Sequence, residues 1–112
     1  MGALPPSLAS TLAQLERGLK DLYGDRFRGL LLYGSYARGE ADEGSDVDLL
    51  VLLDGPVDPV REILRMEPVT WPLALASGFT LSTLPFGFQE YRQAEDNSFL
   101  ITVRREAVAT AA

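Results

Sequence analysis

The chain has 112 residues, 46% of them hydrophobic and 23% charged, with a formal net charge of -6; this is the scale of one small globular domain, residues 1–112, able to bury roughly 60–70% of the surface its unfolded form exposes. It contains no Cys and no His, which excludes a disulfide framework, thiolate metal sites, a Ser-His-Asp triad, a His general base and the usual zinc ligands. Any metal site must therefore use oxygen ligands, which selects a hard cation such as Mg2+ or Mn2+, and the acidic balance makes direct nucleic-acid binding an unfavourable primary role.

Nine of the ten cationic residues are Arg, a bias that suits phosphate and carboxylate recognition but equally reflects a GC-rich genome. No apolar run approaches the roughly 20 residues of a membrane span. The start, MGALPPSLAS, lacks the charged n-region of a secretory signal. The expected location is the cytoplasm.

In chain order, Met1–Pro6 is a lead-in, with Ser7 placed to cap a helix. Leu8, Leu12, Leu15, Leu19 and Leu22 recur every three or four residues and predict an amphipathic helix to about Tyr23, ended by Gly24-Asp25. Phe27–Tyr33 predicts a buried strand. Gly34-Ser35 makes a sharp exit, Ser35–Arg38 a helical turn closed by Gly39, and residues 40–45 an acidic loop. Val47–Leu53 predicts a second buried strand, stopped by Asp54-Gly55-Pro56.

Asp58 and Pro59 open another helix. Pro68 is expected to interrupt it, leaving a broken second segment that ends at Ser77-Gly78. Residues 79–84 predict a third strand before Pro85, and 87–94 a short helix. Residues 97–106 fit both a strand, by the propensity of Phe99–Val103, and a capped helix from Asn97 or Ser98 to Arg104-Arg105. Residues 107–112 are expected to fray.

The chemistry gathers in Leu30–Leu53, LLLYGSYARGEADEGSDVDLLVLL. Asp46 and Asp48, two apart on an extended segment, share one face while Val47 points to the core. Two such carboxylates repel unless a cation lies between them. At Gly34 the missing Cβ lets backbone amides approach a phosphate, the next turn aims free N–H groups at the same place, and Ser35 adds a hydroxyl. An Asp-x-Asp pair alone is an ordinary solvated strand edge, and a Gly-Ser turn is commoner still. The ordered combination between two buried strands is specific.

Gly34-Ser35-Tyr36-Ala37-Arg38-Gly39, followed by Ser45-Asp46-Val47-Asp48-Leu49-Leu50-Val51, resembles the signature of minimal nucleotidyltransferases of the DNA polymerase β-like superfamily, closest to the small proteins paired with HEPN-domain toxins. The motif covers about a fifth of the chain, and the element order agrees over most of the rest. The resemblance implies an α/β (α+β) domain, a small mixed β-sheet with helices on one side, palm-like. It also implies transfer of a nucleoside monophosphate from ATP or another NTP, with release of pyrophosphate. Gly34 and Ser35 would hold the β- and γ-phosphates, and Asp46 and Asp48 the Mg2+ or Mn2+. Arg38 either touches phosphate or pins the loop through Glu40, Asp42 or Glu43. Ser45 joins the nucleotide site by organising the turn before Asp46. Of the nearby aromatics, Tyr33 is expected to pack and Tyr36 to line the pocket.

One departure matters. Active superfamily members carry a third carboxylate on a later strand, where this chain has Phe79–Leu84, FTLSTL, with hydroxyls only. Glu67, Glu90 and Glu95 are the nearest acids in sequence and read as surface charges. The leading expectation is an enzyme that modifies a HEPN-type helical partner, as its antitoxin. The alternative is a nucleotide-binding module acting by complex formation; transfer to a small molecule such as an aminoglycoside suits the short chain less. Trp71 and the apolar C-terminal stretch are candidate interfaces, including one for homo-oligomers.

Overall fold

A computed structural model describes residues 4–42, 44–93 and 98–109. Helix α1 (Pro6–Tyr23) leads through a 3-10 turn (Gly24–Arg26) into strand β1 (Phe27–Tyr33) and the single-turn helix α2 (Ser35–Arg38). Strand β2 (Val47–Leu53), helix α3 (Pro59–Ser77), strand β3 (Leu81–Gly87), helices α4 (Phe88–Gln93) and α5 (Ser98–Glu106), and the two-residue strand β4 (Val108–Ala109) follow. The sheet order is β3-β2-β1-β4. β1 pairs antiparallel with β2 and β4, whereas β2 and β3 are parallel.

This is the expected mixed sheet, and its two faces explain the unbroken apolar run of β2. Val47, Leu49, Val51 and Leu53 join Leu30 and Leu32 against Leu8, Leu12, Leu15 and Leu19 of α1 and Met66 of α3. Leu50 and Leu52 point the other way, packing with Phe88, Tyr91 and Val103 of α4 and α5. A strand covered on both faces has no polar alternation to show. The two long helices thus lie on one side, and short C-terminal helices close the other.

Several boundaries differ from the sequence reading, each for a physical reason. α1 begins at Pro6, a first-turn position whose missing N–H has no helical partner to lose, so Ser7 lies inside the helix and is not its cap. α3 runs unbroken through Pro68 and Pro72. Both prolines are exposed, as is Leu64; the carbonyls of Leu64 and Pro68, which lose their N–H partners, therefore lie on the water-facing side, while Met66, Val69 and Leu73 pack inward. β3 runs past its expected end and through Pro85 because it is an edge strand, where a missing N–H breaks no ladder. The helix expected over residues 87–94 is α4; Ala94 lies outside the described residues. Residues 98–106 are helical, and Asn97, the alternative cap, also lies outside them. Val108 and Ala109 do not fray but pair with Leu32 and Leu31.

A buried ionic cluster ties the far end of the sheet. The Tyr23 hydroxyl donates to Glu62 Oε1 at 3.0 Å, and Arg26 reaches Glu62 Oε2 at 3.4 Å and the Asp54 carbonyl at 3.0 Å. Burial, then the Glu62 bond, raise the Tyr23 phenol above its ordinary range. Asp58 caps α3 by accepting from the Arg61 N–H at 3.3 Å. Among the described residues no helix is long and apolar enough to cross a membrane.

The α1–α3 contact is close at Gly18, where an added Cβ would lie 2.5 Å from Val69 Cγ1. Gly18→Ala is expected to lower stability by about 1 kcal/mol, overpacking outweighing the intrinsic helix gain. Urea denaturation should show Val69→Ala losing less stability in that background than alone.

Candidate active site

The end of β1 lies beside the start of β2. Tyr33, the last residue of β1, pairs with Asp48, the second of β2. The chain then leaves β1 through Gly34 at φ 77°, a conformation that favours glycine. A Cβ on Gly34 would lie 2.2 Å from Asp48 Oδ2 and 3.1 Å from its Cγ. The Gly-Ser turn and the carboxylate pair are thus in contact, and the gap left by the missing side chain is filled by Asp48.

α2 is one turn long, closed by the Arg38 N–H on the Gly34 carbonyl at 3.1 Å and by Gly39 in the left-handed region. Its macrodipole is correspondingly small. The donors at this turn are individual groups: the Gly34 N–H, the Ser35 hydroxyl and the Arg38 guanidinium.

The acidic loop is organised by Asp42 and Ser45. Ser45 Oγ accepts from the Asp42 N–H at 3.0 Å and donates to Asp42 Oδ1 at 3.2 Å, and the Gly44 N–H donates to the same oxygen at 2.9 Å. The turn delivers Asp46 to the head of β2, where the Val47 N–H bonds the Thr80 carbonyl at 2.8 Å. Asp46 is exposed and Asp48 half-buried. Burial first, and then the charge of Asp46, raise the Asp48 carboxyl above its ordinary value, with Arg38 pulling the other way. The Tyr33 phenol rises too, from burial and the adjacent Asp48. Two carboxylates two residues apart under mutual repulsion, with the Cβ-less Gly34 against one of them, fit a divalent oxygen-liganded cation.

Arg38 makes ion pairs with Glu40 and, at 3.1 Å, with Glu106. Of the partners expected for it, Asp42 is engaged within its own turn, and Glu43 lies outside the described residues. Glu106 is the residue that sequence reasoning missed. It is 68 positions from Arg38, and only the tertiary path of α5 brings it here.

β3 completes the site's edge. Ser82 stands in register with Asp48, so a hydroxyl occupies the place beside the pair. Glu67 lies on α3 and Glu90 on α4, while Glu95 lies outside the described residues. Among the described residues no group of three or more acidic, His or Cys side chains is gathered to hold a metal. Beside the turn, a cavity of about 540 Å³ is lined by Tyr36, Ser45, Ser77, Phe79 and Thr80. Tyr36 and Phe79 meet edge to face at 6.2 Å.

The family model described as nucleotidyltransferase domain matches residues 12–102. Two proteins of Methanocaldococcus jannaschii, each named "Putative protein adenylyltransferase", are similar: MJ0604 is 36% identical over 52 residues, and MJ0141 is 38% identical over 70. These stretches are 46% and 62% of this chain and 52% and 64% of those proteins, so the chain spans between half and two thirds of the relatives it matches. A crystal structure of a toxin-antitoxin with AMP-PNP superposes with a TM-score of 0.61, at 19% identity, over 93% of this chain and 73% of that one. That likeness shows a shared fold.

Two outcomes follow from the contact between turn and pair. Gly34→Ala should cost about 2 kcal/mol of stability, from the positive φ and the overlap with Asp48; in an Asp48→Ala background the cost should shrink, a coupling read by a double-mutant cycle. Asp48→Asn should raise stability in metal-free buffer by about 0.5 kcal/mol, by removing the repulsion with Asp46. Added Mg2+ should raise the melting temperature of the wild type and leave that of the Asp48→Asn variant unmoved.

Proposed function

The chain belongs to the nucleotidyltransferase domain family, and on that premise we propose that it moves a nucleoside monophosphate from an NTP to a hydroxyl on a partner protein, as the antitoxin of a HEPN-type toxin. The observation that carries this reading is the contact between the Gly34 turn and Asp48, with Asp46 beside it. A Cβ-less turn whose N–H and hydroxyl stand next to a cation-seeking carboxylate pair suits a metal-bound polyphosphate.

In the transfer, the acceptor hydroxyl oxygen attacks the α-phosphorus. The bond from that phosphorus to its bridging oxygen breaks, pyrophosphate leaves, and the hydroxyl proton passes to a base. Gly34 and Ser35 hold the outer phosphates with an N–H and a hydroxyl, and Arg38 adds positive charge beside them. Asp46 and Asp48 hold Mg2+ or Mn2+, which when bound neutralises phosphate charge and activates the attacking oxygen. Ser45 sets the turn that aims Asp46. Tyr36 and Phe79 wall the cavity that takes the nucleoside, for which ATP is the first candidate.

A protein acceptor is supported by the surface next to this cavity. Trp71 and Leu75 are 58% and 73% exposed. They border a second cavity, which shares Gly78, Phe79 and Thr80 with the first. An apolar face continuous with the site suits a protein better than a small polar acceptor. The name borne by the two archaeal relatives and the toxin-antitoxin setting of the solved neighbour support the same direction. The proposed setting is the cytoplasm, where NTPs are available.

Ser82 beside Asp48 favours a second reading. A serine hydroxyl is no base at neutral pH. Without a general base the chemical step slows by a factor of about 10²–10⁴, unless the partner brings one. The chain would then act chiefly as a nucleotide-binding module in a complex.

Incubation of the full chain with Mg2+, α-labelled ATP and the protein encoded by the neighbouring gene distinguishes the two readings. Transfer predicts label on that protein, lost in an Asp46→Ala/Asp48→Ala variant. Nucleotide binding with no label on a bound partner would leave the module reading standing, and label that survives the double substitution would defeat the assignment of the pair.

A further inference from the structure

The C-terminal end of α5 places a carboxylate on the donors that an incoming phosphate would use. Glu106 Oε2 accepts the Gly34 N–H at 3.3 Å. Arg38 Nη1 donates to Oε1 at 3.1 Å and to Oε2 at 3.2 Å. The Glu106 side chain is only 19% exposed, so it lies in the site and not across a solvent-facing rim.

Local helix energetics do not put it there. A negative charge at a helix C-terminus faces the negative end of the macrodipole, and Arg104 and Arg105 are the residues in that last turn that suit the position. What holds Glu106 is the pair of donors. A carboxylate presents two oxygens to a guanidinium and an N–H in the way a phosphate does.

Its tether is short. Ala107 follows, and then Val108 and Ala109 pair with Leu32 and Leu31 of β1, the strand that ends at Tyr33 just before Gly34. A two-residue strand on a sheet edge is among the least secure elements a fold can have. Release of this segment would free the Gly34 N–H and the Nη1 of Arg38 together, while the Arg38 Nε stays on Glu40.

Resting on the nucleotidyl-transfer reading, we propose that Glu106 is an internal competitor for the outer-phosphate subsite, seated on Gly34 and Arg38 and displaced when the NTP enters. Nucleotide affinity is then set by two opposed terms, the attraction of the outer phosphates to these donors and the cost of unseating Glu106 from them. Any partner that draws the α5–β4 segment away raises that affinity without touching the nucleotide.

Calorimetric titration of the full chain with MgATP, magnesium tripolyphosphate and adenosine tests this, using wild type, Glu106→Ala and the near-isosteric Glu106→Gln. If the seated form makes up about nine tenths of the population, Glu106→Ala should bind MgATP and tripolyphosphate about tenfold more tightly. Glu106→Gln should gain less, because it still accepts from Gly34, and adenosine binding should not change. Circular dichroism establishes that each variant is folded, and the Gln variant carries the test if the Ala variant is not. Unchanged phosphate affinity in a folded variant overturns the proposal. So does weaker affinity, which would make Glu106 a group that holds the metal, and so does an equal gain for adenosine. Wild type that binds MgATP while the variants show no gain defeats this inference alone; no MgATP binding by any form defeats the nucleotidyl-transfer reading, and this inference with it.

Discussion

Gly34 and Asp48 sit so close that a methyl group on the first would lie 2.2 Å from a carboxylate oxygen of the second. That distance follows from the antiparallel register of β1 and β2, which places Tyr33 opposite Asp48. The register in turn follows from burial on both faces. A one-residue slip would exchange the partners of α1 and α3 for those of α4 and α5 along the whole of β2. The core is what holds the Gly34 turn and the carboxylate in contact, and glycine is the residue that takes the positive φ of this turn without strain.

The far end of the same strands is held differently. Arg26, just before β1, binds the Asp54 carbonyl just after β2, and both Arg26 and Tyr23 converge on Glu62. Glu62 is 4% exposed. Stranding one partner of such a group is costly, because the other charge stays buried. The sheet is thus clamped by buried polar bonds at one end, whereas at the other the side-chain bonds of Arg38 and Glu106 are exposed. The exposed end is the one where a charged ligand can exchange with solvent.

How much of this the sequence shows depends on the range of the forces involved. β1, α2 and β2 are legible to the residue, because short apolar runs between glycines have few alternatives at that spacing. Pro68 misleads, since sequence alone does not say that its face is wet and that opposite residues pack on α1. Pro85 misleads in the same way, because edge position in a sheet is a tertiary fact. The carboxylate pair and the turn are legible by type and spacing, and their direct contact is not. Glu106 is least legible of all. It ends a segment that reads equally as strand or helix, and its role depends on where that segment lands.

Two features of this site concern carboxylates. β3 runs parallel to β2 and sets Ser82, not an acid, beside Asp48. α5 brings an acid from the opposite layer, on to the Gly34 N–H and Arg38. The charge therefore stands on the Gly34 side of the turn, where under the proposed function it would oppose an incoming polyphosphate instead of assisting a metal. A third carboxylate beside Asp46 and Asp48 would strengthen the repulsion that already raises the Asp48 carboxyl, and would need a cation to offset it. On Arg38 a carboxylate meets a cation of the protein itself, one that it shares with Glu40. The arrangement places the carboxylate against a cation, and in the proposed reading it does so by setting an internal anion against the nucleotide.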